Sequence, residues 1–277
     1  MRLSSLALSQ QTQTVQAGTL YQNWNYSIDS ANDGTEGSTI GSKSKFEFYG
    51  MAFKEAANKV YFAFNSNLSK DGYGSGSARN GRINYGDLFL NFKNTSSFNK
   101  ANGSLYGIRF DGKNDTEVGV GLYQNVVAKS LTTVNSGYGS LQQHTNTVSN
   151  LKGSASYGDL AATTTYFNSS QGAYTTIASG KSLGSYAELS AKDLQDQGLD
   201  FSHFNAKGTY TFGFSIDRKL LPTGDFIANF FAECGNDGVA LAGTLKDVPE
   251  PSALVGLTAV GLMVAGSRLR RRNSSVA

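Results

Sequence analysis

Cysteine occurs once in this sequence, at Cys234, and tryptophan once, at Trp24, alongside two histidines and three prolines. A single cysteine cannot close a disulfide within the chain. The two histidines, His144 and His203, lie far apart, and no Walker, G-x-G-x-x-G or H-E-x-x-H pattern occurs around them or elsewhere. Catalysis therefore has little to build on, and we expect no enzyme, with a secreted hydrolase using an unrecognised carboxylate pair as the remote alternative.

Charge is also scarce, at 16% of residues. The formal net charge of +3 is misleading, because four of the 24 Lys+Arg are Arg268, Arg270, Arg271 and Arg272, and no acid follows Glu250. The chain before them carries 20 basic residues against 21 acids. No broad basic face exists to neutralise phosphates, so nucleic acid is not expected as a partner.

What is abundant is aromatic and glycine: 17 Phe, 14 Tyr and 32 Gly. The aromatics fall at alternate positions, as strands with one buried face require. The stripes are Val60/Phe62/Phe64, Leu88/Leu90/Phe92, Tyr106/Ile108/Phe110, Val118/Val120/Leu122, Tyr210/Phe212/Phe214/Ile216 and Phe226/Ala228/Phe230/Ala232/Cys234. Phe46 and Phe48 begin another, which Gly50 should break with a bulge before Met51 and Phe53. The expected fold is all-β, a two-sheet antiparallel β-sandwich with long Gly/Ser/Asn-rich loops. Short helical turns are expected at 189–200, ended by Gly198, and at 217–222, closed by Pro222. The polar stretch 130–158 is expected to be a mobile loop or a ragged strand.

Residues 1–17 read as a leader remnant or loose N-terminus. Val15-Gln16-Ala17 has the small residues of a signal-peptidase site, which places the true start upstream of Met1. Residues 18–247 form the domain. The last part, 248–277, is different in kind: Pro249-Glu250-Pro251, an apolar run from Ser252 to Ser267, then Arg268, Arg270, Arg271 and Arg272. As a helix the run is about 25 Å long, at the short end of what spans a bilayer. Arginines at its end stay cytoplasmic, which puts the domain on the other side.

This tripartite tail resembles the sorting signal of PEP-CTERM proteins, the substrates of exosortases. Blocks such as "FEFYGMAF", "YGDLFLNF" and "FAECGNDG" likewise resemble exosortase-dependent surface proteins of the kind found in cyanobacteria. The resemblance implies an exported chain, anchored in the inner membrane as a precursor, processed by an exosortase, and destined for the cell surface or extracellular matrix. A non-enzymatic role in the envelope or exopolysaccharide layer follows from it.

Two ligand sites are conceivable. Trp24 with Tyr21 and Tyr26 has the composition of a sugar-stacking platform, and Tyr73, Tyr85 and Tyr138 lie in glycine-rich loops; the alternative function is thus a carbohydrate-binding module. "DSANDGTEG" offers Asp29, Asp33 and Glu36 as calcium candidates, and "DGKND" offers Asp111 and Asp115. Neither follows the EF-hand spacing, and the expectation is no resident cofactor, with calcium possible. His144 and His203 are expected on the surface or at caps, and Cys234 in the core.

Overall fold

The computed structural model describes residues 18–56, 58–93 and 96–247. Mostly β, with few helices, it holds two six-stranded antiparallel sheets. The strands, in chain order, are β1 Thr19–Tyr21, β2 Trp24–Ile28, β3 Phe48–Ala56, β4 Lys59–Ser66, β5 Leu88–Asn91 and β6 Leu105–Arg109. They continue with β7 Gly121–Lys129, β8 Thr176–Gly184, β9 Ala187–Leu189, β10 Tyr210–Asp217, β11 Gly224–Phe231 and β12 Gly238–Leu245. The first sheet runs β1-β2-β3-β4-β10-β9 and the second β8-β7-β6-β5-β11-β12.

The sheets share one aromatic core in a sandwich-like arrangement. From the first come Val60, Phe62, Phe64, Phe212, Phe214 and Ile216; from the second come Leu88, Leu90, Ile108, Phe226 and Phe230. Phe230 packs against Phe48 and Phe64, with ring centroids 4.9 and 4.6 Å apart. Each such ring contributes about 1.5–3 kcal/mol by leaving water. Cys234 is buried in the same core. The expected bulge is present, between Phe48 and Gly50 of β3. The helix Ala191–Asp196, started by a Ser190/Asp193 capping box, and the 3-10 turn Arg218–Leu220 also form where expected.

Three expectations need correction. First, alternation predicts one polar face per strand, yet β11 also buries Ile227 and Phe231 on its other side, against Phe89, Tyr157 and Phe167. The chain between β7 and β8 folds over that outer face. Second, the stretch 130–158 is built around a helix, with only Ser156–Tyr157 pairing as a short strand: Leu141–Asn150 is helical, N-capped by Ser140, whose side chain accepts the Gln143 N–H at 3.1 Å. Only Leu141, His144 and Val148 of it are buried. That is a helical stripe too sparse to see against eight-tenths polar residues. Third, Val120 is 54% exposed, because β7 begins only at Gly121 and the apolar alternation before it is not a strand.

The first sheet is covered outside as well, where Leu194, Leu199 and Phe201 pack on Trp24, Tyr26 and Tyr49. The chain divides into two units, Met1–Leu245 and Lys246–Ala277. Among the described residues no helix is long and apolar enough to cross a membrane. The expected C-terminal helix at 252–267 lies outside them, as does the leader at 1–17.

Candidate metal centre

Four carboxylates from three remote parts of the chain meet beyond the end of β2. Asp29 follows that strand directly, Asp33 stands in the loop after it, Glu47 immediately precedes β3, and Asp237 opens the turn into β12. Asp33, Glu47 and Asp237 are fully buried and Asp29 is 6% exposed. One oxygen from each of Asp29, Asp33 and Asp237 lies within 4.8 Å of the others.

Backbone donors hold each group in place. Asp29 Oδ1 accepts the Gly158 N–H at 2.8 Å and the Ser156 hydroxyl, and Asp33 Oδ2 accepts the Ser156 N–H at 2.7 Å. Glu47 Oε2 accepts the Gly34 N–H at 2.8 Å. Asp237 Oδ2 accepts the Phe48 N–H and its Oδ1 the Gly238 N–H, both at 2.7 Å. Gly34 is required here by contact: a Cβ on it would stand 2.4 Å from the Glu47 Cα. His144, from the helix, joins the same corner through its Nε2 to the Asp33 carbonyl at 3.0 Å. It is buried, not on the surface as the sequence suggests, and burial pulls its pKa down to about 4, so its ring is neutral.

These donors leave one oxygen unpaired on each of three groups: Asp29 Oδ2, Asp33 Oδ1 and Glu47 Oε1. None of the ion pairs among the described residues includes the four acids. Burial raises all four carboxyl pKa values, and the neighbouring acids push Asp33, Glu47 and Asp237 up further. Four ionised groups here would cost several kcal/mol each without a compensating charge.

Burial alone does not produce this pattern. Asp87 is fully buried too, but Asn114 Nδ2 at 2.8 Å, the Ile177 N–H at 2.7 Å and the Thr116 hydroxyl satisfy both its oxygens. Glu233 is satisfied by the Asn84 and Asp115 amides, at 2.9 and 2.6 Å. Asp111 keeps Oδ2 unpaired, with Lys113 and Lys70 beside it.

Of the sequence candidates, Asp29 and Asp33 come together and Glu36 does not. Glu36 turns to the Lys45 N–H, which its Oε2 accepts at 3.0 Å. Glu47 and Asp237 were not legible: Glu47 sits between Phe46 and Phe48 like an outward strand residue, and "GNDG" reads as a plain turn.

The sugar platform is a correction. Trp24 is fully buried and donates Nε1–H to the Gln197 carbonyl at 3.0 Å, so neither ring face is open to a sugar. Tyr26 is 1% exposed, and Tyr21 stacks on His203 with centroids 3.8 Å apart. Tyr85, expected in an open loop, is fully buried as well, while Tyr73 is 37% exposed. A surface groove of about 650 Å³ is lined by polar groups such as Asn99, Gln142, Thr145 and Asn168, and its aromatic walls Tyr157 and Phe167 are themselves buried. One motif escapes a first reading of the sequence: Gly180-Lys181-Ser182-Leu183-Gly184 has G-x-S-x-G spacing. It lies within β8, where Ser182 pairs with Tyr123, and not on the strand-to-helix turn that exposes a nucleophile.

No protein-family model matches the chain, and neither a curated protein nor a solved structure does.

Proposed function

We propose that this is an exported, non-enzymatic protein of the cell surface or extracellular matrix. In this proposal the tail at 248–277 acts as a PEP-CTERM-type signal, comprising a motif, a transmembrane helix and an arginine stop, and is read by an exosortase. The observation that carries the proposal is where the last described strand ends. β12 closes the second sheet at Leu245, whose side chain is 1% exposed, and the Pro249-Glu250-Pro251 motif follows at once. A cut at the motif would leave all twelve strands of the two sheets in place, as a detachable address requires. The covered outer faces of both sheets fit a durable scaffold. The four acids that do meet are sealed from solvent, unlike the open pair a glycosidase uses. Final association with exopolysaccharide belongs to the same proposal.

Replacing Pro249, Glu250 and Pro251 by alanine tests it. The altered chain should stay full-length in the inner membrane, while the parent yields a shortened form at the surface, seen by fractionation and intact mass. Equal processing of both would rule out exosortase handling.

A further inference from the structure

We infer that Asp29, Asp33 and Asp237, with Glu47 buried beside them, hold one calcium ion, a structural centre joining the β2–β3 region to the turn before β12. The inference does not rest on the sorting proposal.

Three observations carry it together. The first is the trio of oxygens from Asp29, Asp33 and Asp237, mutually within 4.8 Å. Ligand oxygens on one calcium ion, each at about 2.4 Å, lie at most about 4.8 Å apart, and the three oxygens meet that limit. The second is Glu47. It is not part of that trio, it is fully buried, and its Oε1 has no partner. Its position fixes it beside the others: Oε2 takes the amide next to Asp33, and the next residue's amide is held by Asp237. Buried polar atoms in folded proteins are nearly always partnered. A fully buried fourth carboxylate beside the cluster, with one oxygen unpaired, points to a cation. The third is the set of unpaired atoms on Asp29 and Asp33, the same two groups that share Ser156. Ser156 fills Asp29 Oδ1 and Asp33 Oδ2, leaving Asp29 Oδ2 and Asp33 Oδ1 without partners.

The donor set selects the ion. All-oxygen ligands suit hard cations and offer nothing to zinc or copper. Between calcium and magnesium, burial decides. Magnesium keeps most of its waters and demands a strict octahedron; a sealed cage of carboxylates suits the ion that sheds water readily and accepts irregular coordination. Protons are the competing solution. They would neutralise the acids one by one, yet each new O–H would need its own acceptor.

The test uses the full 277-residue chain in detergent, melted in EDTA, in about 1 mM CaCl2 and in about 1 mM MgCl2. Calcium should raise the melting temperature by about 5–10 °C, with one ion bound per chain, and magnesium by clearly less. Asp33→Asn distinguishes a ligand from a merely structural acid. Its amide oxygen can still accept the Ser156 N–H, and its NH2 takes the place of the unpaired oxygen. In EDTA this variant should melt no lower than the parent, while its calcium affinity falls about tenfold or more. Glu36→Gln should bind calcium as the parent does. Absence of a calcium-dependent shift with no ion bound, an equal shift from magnesium, or full affinity in Asp33→Asn would each overturn the inference.

Discussion

Phe64 of β4 and Phe230 of β11 meet edge to face, centroids 4.6 Å apart and ring planes at 75°, each from a different sheet. Phe230 also contacts Phe48, Tyr85 and Phe110, so one ring links strands and loops on both sides of the core. Phe230→Ala should cost about 3–5 kcal/mol in urea unfolding, from lost burial plus the cavity. A loss under about 1 kcal/mol would mean the sheets do not share this core.

Trp24 reports on the outer layer of the first sheet. As the sole tryptophan, buried at 0% exposure, it should emit at short wavelength, resist iodide quenching and ignore added glycans. Trp24→Phe should cost only about 1 kcal/mol beyond the volume change, because the Gln197 carbonyl keeps its bond from Lys54 Nζ at 2.8 Å. Quenching of the native protein as strong as that of free tryptophan would contradict the burial.

Burial raises the Asp87 pKa to about 6, from the usual range near 4, against the pull of its three hydrogen-bond donors. The folded state therefore holds a proton that the unfolded chain releases earlier. The contribution is fully present below about pH 4 and is lost as pH rises through about 6, by at most roughly 3 kcal/mol. Urea midpoints in saturating calcium should fall across that window, and Asp87→Asn should flatten the slope. An unchanged slope in the variant would assign the effect elsewhere.

Cys234 is fully buried, and burial pushes its thiol up to about 12. At pH 8 it should stay protonated and unreactive toward an aromatic disulfide reagent until the protein unfolds, then titrate as one thiol. Rapid labelling of the native chain, or a disulfide-linked dimer, would show the opposite.

The strands with strong alternation were legible because their inner faces carry large side chains at every second position, as in Phe212/Phe214/Ile216. Where covering segments also bury the reverse face, as at Ile227 and Phe231, a period of two no longer separates inside from outside. The helix Leu141–Asn150 was hidden for a related reason: its burial rests on Leu141, His144 and Val148 alone. The carboxylate cluster was half visible. Asp29 and Asp33 stand in one acidic loop, but their companions are fixed by tertiary register. The Phe48 amide binds Asp237 from 189 positions away, and no local pattern encodes that.

The same separation bears on how the domain is finished. Asp29 lies near the beginning of the chain, and Asp237 sits just before the last strand, which pairs with β11 from Gly238 to Leu245. A polypeptide delivered outward amino end first would carry three of the four acids across early and wait for the fourth. Until the final hairpin had cleared the translocon, the corner would stay open and its acids hydrated. In such an export, locking of the domain would wait for the passage of β12.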